Sequence, residues 1–380
     1  MNGVALSGLQ SLAGALRITP GAPPPHGLQS TRQDWAALMG HGVPAARLPG
    51  LMASLFNLCS HAHRLCSQLA IGPASPGLLP RPDAVAERLR RETAMEHIRR
   101  IGLDWPRLLA PGGAHAASAT TALRTCPWPT QGAPGPWPAL RSWLQHVLLD
   151  MPAADWLAAW QAGGTDWLDT WGLRHNHWLP ALVRSARGAD ACTLLAPDTA
   201  LRLHGDRATS LCMLGATLAL KPAFALRPLL HGACAHTGPW SRLGGVADDM
   251  LLTPWALLGT RLAELVRLAL DGGDRCLDWG AVATGPWRGL AWVEMARGLL
   301  VHQVEIDPAT QRVQACHVVA PTEWNFHPEG EVAQQLARLD PDLPDGALTR
   351  RVHLLMAAFD PCVPFTIERR GAALQEAGHA

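Results

Sequence analysis

The sequence contains no tyrosine, and Lys221 is its only lysine. We attribute both features to genomic composition bias rather than to function. Basic and acidic residues nearly balance, with 32 Lys and Arg against 31 Asp and Glu, so no strong positive field favours nucleic acid or an anionic membrane surface. No apolar run approaches the roughly 20 residues of a membrane span. The N-terminus lacks the basic and apolar pattern of an export signal, so we expect none.

Paired cysteine motifs are also missing. The nine cysteines are odd in number, scattered along the chain, and include no Cys-x-x-Cys pair. We therefore expect no disulfide framework in a chain of this length, and a structural zinc site is poorly supported. Free thiols fit a reducing compartment, so we predict a cytoplasmic protein.

The chain does contain enough apolar sequence for a large core, with 48% hydrophobic and 17% charged residues over 380 positions. We predict one domain over residues 1–380, with an irregular segment at 105–139 that is rich in Pro, Gly, Ala and Thr. Helical apolar spacing recurs in four stretches, at residues 33–63, 83–103, 143–171 and 248–269. In the second stretch we expect the arginines and glutamates to face solvent.

A late β-hairpin is the clearest local feature. Residues 300–306 alternate between two faces, as a strand does, and residues 312–319 form a second run with β-branched side chains. Asp307-Pro308 supplies the turn, and Pro321 ends the pairing because proline has no N–H to donate. Arg297 and the segment Pro321–Asn325 then flank the hairpin, close enough to serve one site.

Two cysteines stand in patterns suited to metal binding. Cys59 and His63 are four residues apart, so on a helix they share a face and both can approach one ion. The alternative is a buried cysteine beside a surface histidine, since free cysteine is commonly buried. Cys362 follows Asp360 and Pro361, and this Asp-Pro-Cys pattern alone is weak evidence.

Five partial motifs, in order, resemble the large subunit of [NiFe] hydrogenases. Cys59-x-x-x-His63 is similar to the second half of its signature Cys-x-x-Cys-x-x-x-His, with Phe56 in place of the first cysteine. Asp360-Pro361-Cys362 is similar to the start of Asp-Pro-Cys-x-x-Cys-x-x-His, with Phe365 and Glu368 in the later places. The internal matches are Thr237-Gly238-Pro239 preceded by His236 instead of glutamate, Glu294-x-x-Arg297-Gly298 followed by His302, and Pro321-Thr322-x-Trp324-Asn325.

The resemblance implies an α+β fold like that of the hydrogenase large subunit, with a central bundle of long helices and β-hairpins at its periphery. Catalytic hydrogenases hold nickel with four thiolates, two of which bridge to iron, because thiolates suit soft transition metals. This chain keeps one cysteine of each pair, and phenylalanines make the place of the other two apolar. We therefore expect no nickel and no hydrogen turnover, and we predict that the protein is not an enzyme.

A large-subunit relative of this kind resembles the HupK and HoxV type of hydrogenase maturation protein. Such proteins are proposed scaffolds that hold the iron centre with its carbonyl and cyanide ligands before transfer. The resemblance implies transient iron bound by Cys59, deprotonated and steadied by His63. Cys362 is the second predicted ligand, although its family counterpart binds only nickel. The remaining predicted cofactor contacts are Arg297, Thr322 and the backbone after Pro321 as hydrogen-bond donors, with His302 and Asp360 in support.

The implied partners are a HypC-type chaperone, HypD-type assembly proteins and the precursor of the hydrogenase large subunit. A second hypothesis is a metal-free interaction protein that stabilises such a precursor. A third, an enzyme with an altered mononuclear centre, has no acid–base pair to support it. The residues also have simpler explanations: Arg297 pairs with Glu294 or Asp360, Thr322 closes a turn, and Trp324 belongs to the core.

Overall fold

The computed structural model describes residues 14–79, 84–111, 113, 115–128, 136–174, 177–189, 207–242 and 252–369. Helices dominate this part of the chain, and two small sheets accompany them. No helix in these ranges combines the length and apolar character needed to cross a membrane. The arrangement confirms the predicted α+β class.

The helices begin at recognisable signals. Asp34 caps the first helix by accepting a hydrogen bond from the Ala37 amide, and Thr253 caps a later one that has proline in its first turn. In chain order they are α1 (Trp35–Gly40), α2 (Leu48–Leu55), α3 (Ser60–Ala74), α4 (Val85–Arg99), α5 (Trp105–Leu109), α6 (Ala116–Arg124), α7 (Trp137–Trp143), α8 (Ala153–Arg174), α9 (Trp178–Arg187), α10 (Arg207–Leu220), α11 (Pro239–Arg242), α12 (Pro254–Ala269), α13 (Pro321–Asn325), α14 (Glu331–Ala337) and α15 (Asp345–Phe359).

The strands form two sheets. Their bounds are β1 (Leu16–Ile18), β2 (Leu28–Ser30), β3 (Trp279–Gly285), β4 (Arg288–Met295), β5 (Gly298–Ile306), β6 (Val313–Val319) and β7 (Phe365–Ile367). The order β2-β1-β7 joins the two ends of the chain, because β1 pairs antiparallel with β2 and parallel with β7. Strands β3 to β6 form an antiparallel meander.

The predicted hairpin is confirmed as β5 and β6. Leu300, Val304 and Ile306 join the main hydrophobic core, while Leu299 and Val301 pack in a second cluster on the opposite face of the sheet. The alternation follows from the period of two along a strand. Strands β3 and β4 precede this hairpin, and β4 pairs antiparallel with β5.

Helix α12 runs through the main core. The predicted helix began at residue 248, but residues 248–251 lie outside the described residues. A single apolar stripe was expected. Instead nearly every α12 residue is buried, including Arg261 and Glu264. Buried charges require partners, and those partners lead toward the candidate site.

Two local predictions need correction. Helices α5 and α6 lie inside the segment 105–139 that we predicted to be irregular. Helix α5 has its proline in the first turn, where proline is tolerated, and α6 is built largely from alanine and threonine. The charged residues of α4 do not all face solvent either, since Arg90 and Glu96 are buried. Arg90 donates to the carbonyl oxygens of Leu268 and Leu270 at the end of α12.

Candidate functional site

Cys59 and His63 come together at the start of α3. Helix α2 ends at Leu55, and a 3-10 turn, Asn57–Cys59, redirects the chain into α3. Cys59 is the residue just before α3, and His63 lies in the first turn of that helix. Both side chains are buried, so the surface histidine of the simpler interpretation is excluded.

A cavity of about 440 Å³ lies beside this turn, and we call it the thiol cavity. Its walls come from both ends of the chain and from the hairpin. The predicted site residues among them are Cys59, His63, Arg297, Pro321, Thr322 and Cys362. The other two predicted residues lie just behind this wall, His302 against His63 and Asp360 against Arg297.

A strained turn places Arg297 over the cavity. Gly298 has φ +126°, and a Cβ atom there would lie 2.5 Å from the Thr237 hydroxyl oxygen, so only glycine fits without displacement. The Thr237 hydroxyl accepts a hydrogen bond of 2.9 Å from the Leu299 amide, and the Asn325 side chain bonds both backbone groups of Thr237. The three internal motifs therefore support one turn.

Arg297 is buried among sulfur and carboxylates. Its Nη1 lies 3.8 Å from Cys59 Sγ, its Nη2 lies 3.1 Å from Glu96, and its Nε lies 3.4 Å from Asp360 Oδ2. Of the two alternative pairings predicted from sequence, the one with Asp360 is present. Glu294 pairs with Arg242 instead. Arg297 thus lines the cavity while its charge is balanced from behind.

Asp360 organises the arginines of this region. It ends α15 in the left-handed region, with φ +54°, and its carboxylate lies 2.9 Å from Arg100 Nε and 3.3 Å from Arg261 Nη1. Burial opposes the charge, but Arg100, Arg297 and Arg261 outweigh it and lower the pKa of Asp360. Asp360 thus pairs with Arg297 and does not itself line the thiol cavity.

Burial of Cys59 disfavours its thiolate form. Burial raises its pKa to about 12, although Arg297 acts in the opposite direction, so the thiol keeps its proton at neutral pH. His63 was expected to steady a thiolate. Its ring instead stacks on Phe56, with centroids 3.9 Å apart, and its Nδ1 lies 3.0 Å from His302 Nε2. A metal bound at Cys59 must therefore displace a proton.

The two histidines form a neutral pair. Burial lowers the pKa of His302 to about 3, and burial followed by the neighbouring His302, Arg32 and Arg297 lowers that of His63. One imidazole must then donate to the other. Phe56 covers the His63 ring and forms part of an apolar wall of the thiol cavity.

Cys362 is held by two donors. The Thr322 hydroxyl lies 3.0 Å from its sulfur, and Arg32 Nη1 lies 3.1 Å away. Arg32 also donates from Nε to Glu323 at 2.6 Å. Thr322 therefore does more than close a turn. Sequence reasoning missed Arg32, because a single arginine in the loop after β2 carries no motif of its own.

Two glutamates of α4 were also missed. Glu96 pairs with Arg297, and burial raises the pKa of Glu92 to about 8 while its carboxylate accepts a hydrogen bond from the His61 amide. The available signal was spacing. Glu96 follows buried Leu89 by seven residues, which places both on one helical face.

Phe365 and Glu368, which follow the Asp-Pro-Cys motif, do not line the thiol cavity. Phe365 lies in β7 and lines a neighbouring cavity of about 430 Å³ on the far side of Cys362. Glu368 is at the surface near Arg17. Apolar side chains such as Trp35, Met39 and Phe56 line the thiol cavity, and Phe365 does not. Of the two phenylalanines expected to make this place apolar, only Phe56 lies there.

The metal-binding capacity of the site is limited. No group of three His, Cys, Asp or Glu side chains converges anywhere in the described ranges in a way that holds a metal ion. Cys59 and Cys362 offer two sulfurs to the same cavity. This donor set suits a soft metal that arrives with other ligands already bound, and does not suit a bare ion.

Comparison with known proteins places this geometry in context. No family model matches the chain. The chain is 36% identical over 374 residues to the hydrogenase expression/formation protein HoxV of Cupriavidus necator, covering 94% of this chain and 96% of that protein. The chain belongs to the HoxV and HupK family. HupK of Bradyrhizobium diazoefficiens is 31% identical to it over 354 residues, covering 89% of this chain and 90% of that protein.

Solved structures share the fold of this HoxV and HupK relative. The Ni-Fe-Se hydrogenase of D. vulgaris Hildenborough matches with a TM-score of 0.50 and 14% identity, covering 88% of this chain and 92% of that chain. The Ni-Fe-Se hydrogenase of Desulfomicrobium baculatum matches with a TM-score of 0.50 and 12% identity, covering 91% and 95%. The predicted hydrogenase large-subunit fold is thereby confirmed.

Proposed function

We propose that this protein is a hydrogenase maturation scaffold that carries an iron unit with carbonyl and cyanide ligands. Its relatives are named for the expression and formation of hydrogenases, which supports an accessory role. The iron unit is cargo in this proposal and is passed on to the hydrogenase large subunit. The observation that supports it best is the convergence of Cys59, Cys362 and Arg297 on one cavity.

Two thiols suit a carrier better than a resident site. Carbonyl and cyanide ligands occupy much of the coordination sphere of such an iron, so the protein needs to supply few bonds. Fewer protein ligands leave release possible, while thiolates bind soft metals firmly enough to protect the cargo. Cys59 and Cys362 lie in segments from opposite ends of the chain, and the β2-β1-β7 sheet ties those ends together.

The cations around the cavity suit the anionic character of cyanide. Arg297 and Arg32 both line it, and both are partly neutralised from behind by carboxylates. Arginine N–H groups form strong hydrogen bonds with anionic acceptors. The Thr322 hydroxyl, at the start of α13, offers a further donor on the same side as Cys362.

Phe56 is the reason why we propose an iron site without nickel. It fills the place of a thiolate in the thiol cavity, and we propose no nickel site and no hydrogen turnover for this reason. Hydrogen-dependent dye reduction by the purified protein tests this point. The expected rate is no greater than that of a Cys59→Ala variant, and a rate clearly above it would contradict the proposal.

The proposal implies cytoplasmic partners that bring and take the cargo. A HypC-type chaperone and HypD-type assembly proteins are the proposed donors, and the precursor of the hydrogenase large subunit is the proposed acceptor. Co-purification from the native host tests these pairs. The precursor should co-purify with the wild-type protein and should no longer do so when the donor proteins are deleted. That result would place this protein between the donors and the precursor.

A metal-free interaction protein remains the second candidate function. The absence of a three-ligand cluster in the described ranges favours it. Iron analysis of protein purified anaerobically from its host separates the two. The scaffold predicts about one iron per chain, lost in Cys59→Ala and Cys362→Ala but kept in Cys212→Ala, a control on the exposed face of α10.

A further inference from the structure

A second cavity adjoins the thiol cavity and shares two of its wall residues. It has a volume of about 440 Å³, and Arg32 and Thr322 line both cavities. Its other walls come from β1, β2, the end of α13 and the loop that contains Arg227. Volumes of this size are typical of small-molecule sites, and nothing in the proposed function uses this one.

One oxygen of a buried carboxylate at this cavity lacks a hydrogen-bond donor. Glu323 lines the cavity, and its side chain is only 5% exposed. One of its oxygens accepts the 2.6 Å hydrogen bond from Arg32, but Oε2 accepts none from any residue that the structure describes. A buried acceptor without a donor is costly. A ligand with an N–H group would satisfy it.

The charges of the cavity narrow the class of ligand. Arg32 already neutralises Glu323, so a second full positive charge is not needed at Oε2. Arg227 lines the same cavity and is exposed, and its guanidinium group makes no hydrogen bond or ion pair within the described part of the chain. With two guanidinium groups against one carboxylate, the cavity favours a ligand that combines a neutral N–H donor with an anionic group.

We propose that this cavity binds a molecule bearing an amide N–H and a carboxylate, with the N–H on Glu323 and the carboxylate on Arg227. An N-acylated amino acid and the C-terminal residue of a peptide share this chemistry. Because Glu323 also holds Arg32 against Cys362, the ligand would contact the residue that positions Arg32. The site does not depend on whether iron is carried.

Saturation-transfer-difference NMR with N-acetylglycine tests the proposal on the full chain without iron. The matched control ligand is 4-oxopentanoate, which keeps the acetyl and carboxylate groups but replaces the N–H by CH2. Wild-type protein should bind N-acetylglycine about tenfold more tightly, since the control leaves Oε2 unpaired. Equal affinities, or no detectable binding of N-acetylglycine, would overturn the proposal.

Variants assign the contacts. In Glu323→Gln the side-chain amide can place an NH2 donor where Oε2 was an acceptor. The preference for N-acetylglycine should then disappear. Arg227→Met should weaken both ligands alike, because each has the carboxylate. The control Asp155→Asn removes one negative charge from an exposed position on α8 and should change neither affinity. A preference that survives in Glu323→Gln would refute the assignment.

The length of the test ligand distinguishes a peptide C-terminus from a free small molecule. If N-acetyl-triglycine binds about tenfold more tightly than N-acetylglycine, the cavity receives the end of a peptide. If the longer ligand binds equally or more weakly, the cavity receives a free small molecule. Both outcomes count only if the protein prefers N-acetylglycine to 4-oxopentanoate and Glu323→Gln abolishes that preference. Without that preference, neither outcome supports the proposal.

Discussion

Replacing Glu264 by glutamine should destabilise the protein in a pH-dependent way. The Glu264 carboxylate accepts hydrogen bonds from Arg242 Nε at 2.7 Å and from His97 Nε2 at 2.7 Å, and all three side chains are buried. Arg242 in turn donates to the Met295 carbonyl at 2.8 Å, just before the turn that carries Arg297. The change therefore acts on the support of the site as well as on stability.

The magnitude follows from the pKa of Glu264. Burial opposes its charge, but Arg242 and His97 outweigh it and lower the pKa from 4.5 to about 2. Since one pKa unit corresponds to about 1.36 kcal/mol, the difference amounts to about 3 kcal/mol of stability at neutral pH. A lowered carboxylate pKa stabilises above the unfolded value, so this contribution declines as pH falls from about 4.5 toward 2.

Urea unfolding followed by tryptophan fluorescence measures the effect. The free energy of unfolding of Glu264→Gln should be about 3 kcal/mol below that of the wild type at pH 7, and the gap should narrow below about pH 4.5. The control Glu329→Gln changes an exposed carboxylate and should stay within about 0.5 kcal/mol. A gap that stays constant between pH 7 and pH 3 would refute the assignment.

Three further predictions concern the same region. Burial raises the pKa of Glu294 to about 7, so its contribution to stability falls as pH rises from 4.5 through 7, and unfolding of Glu294→Gln should lack that fall. Gly298→Ala should cost about 2 kcal/mol in urea unfolding because of its φ of +126°, whereas Gly188→Ala, with φ −67° and open space, should be nearly neutral. Glu96→Gln should cost about 3 kcal/mol in thermal or urea unfolding by leaving Arg297 less balanced, and an unchanged midpoint would contradict the pairing.

Short-range patterns predicted much of the fold. The alternation of 300–306 gave both the strand and its two faces, because side-chain direction along a strand is set by the backbone. Proline at 321 marked the end of pairing correctly, since β6 stops at Val319 and α13 begins at Pro321. Strands β3 and β4 were not predicted, because their glycine and tryptophan content gives no clear alternation.

Long-range electrostatics was the part that sequence did not reveal. The charged helix 83–103 looked like a solvated surface, but Glu96 and Arg100 balance Arg297 and Asp360, which lie more than two hundred residues away. No local period records such a pairing. The same applies to Arg32, whose contact with Cys362 spans 330 positions. Six residues of the family motifs line one cavity in the structure, but their mutual contacts could not be predicted without the fold.

The surroundings of Cys59 were also only partly predictable from the sequence. Spacing placed it beside His63 at the start of a helix, and the structure agrees. The sequence did not predict that Phe56 stacks on the His63 ring or that His302 lies 3.0 Å from its Nδ1. The sequence shows a phenylalanine at position 56, but it does not show that this ring stacks on His63.

Infrared spectroscopy of protein purified anaerobically from its own host tests the central proposal most directly. The account predicts carbonyl and cyanide stretching bands in the wild type, their loss in Cys59→Ala, and their retention in the Cys212→Ala control. Bands that survive in Cys59→Ala would move the site away from that sulfur. Absence of bands and of iron from the wild type would contradict the scaffold and leave the metal-free interaction protein as the function.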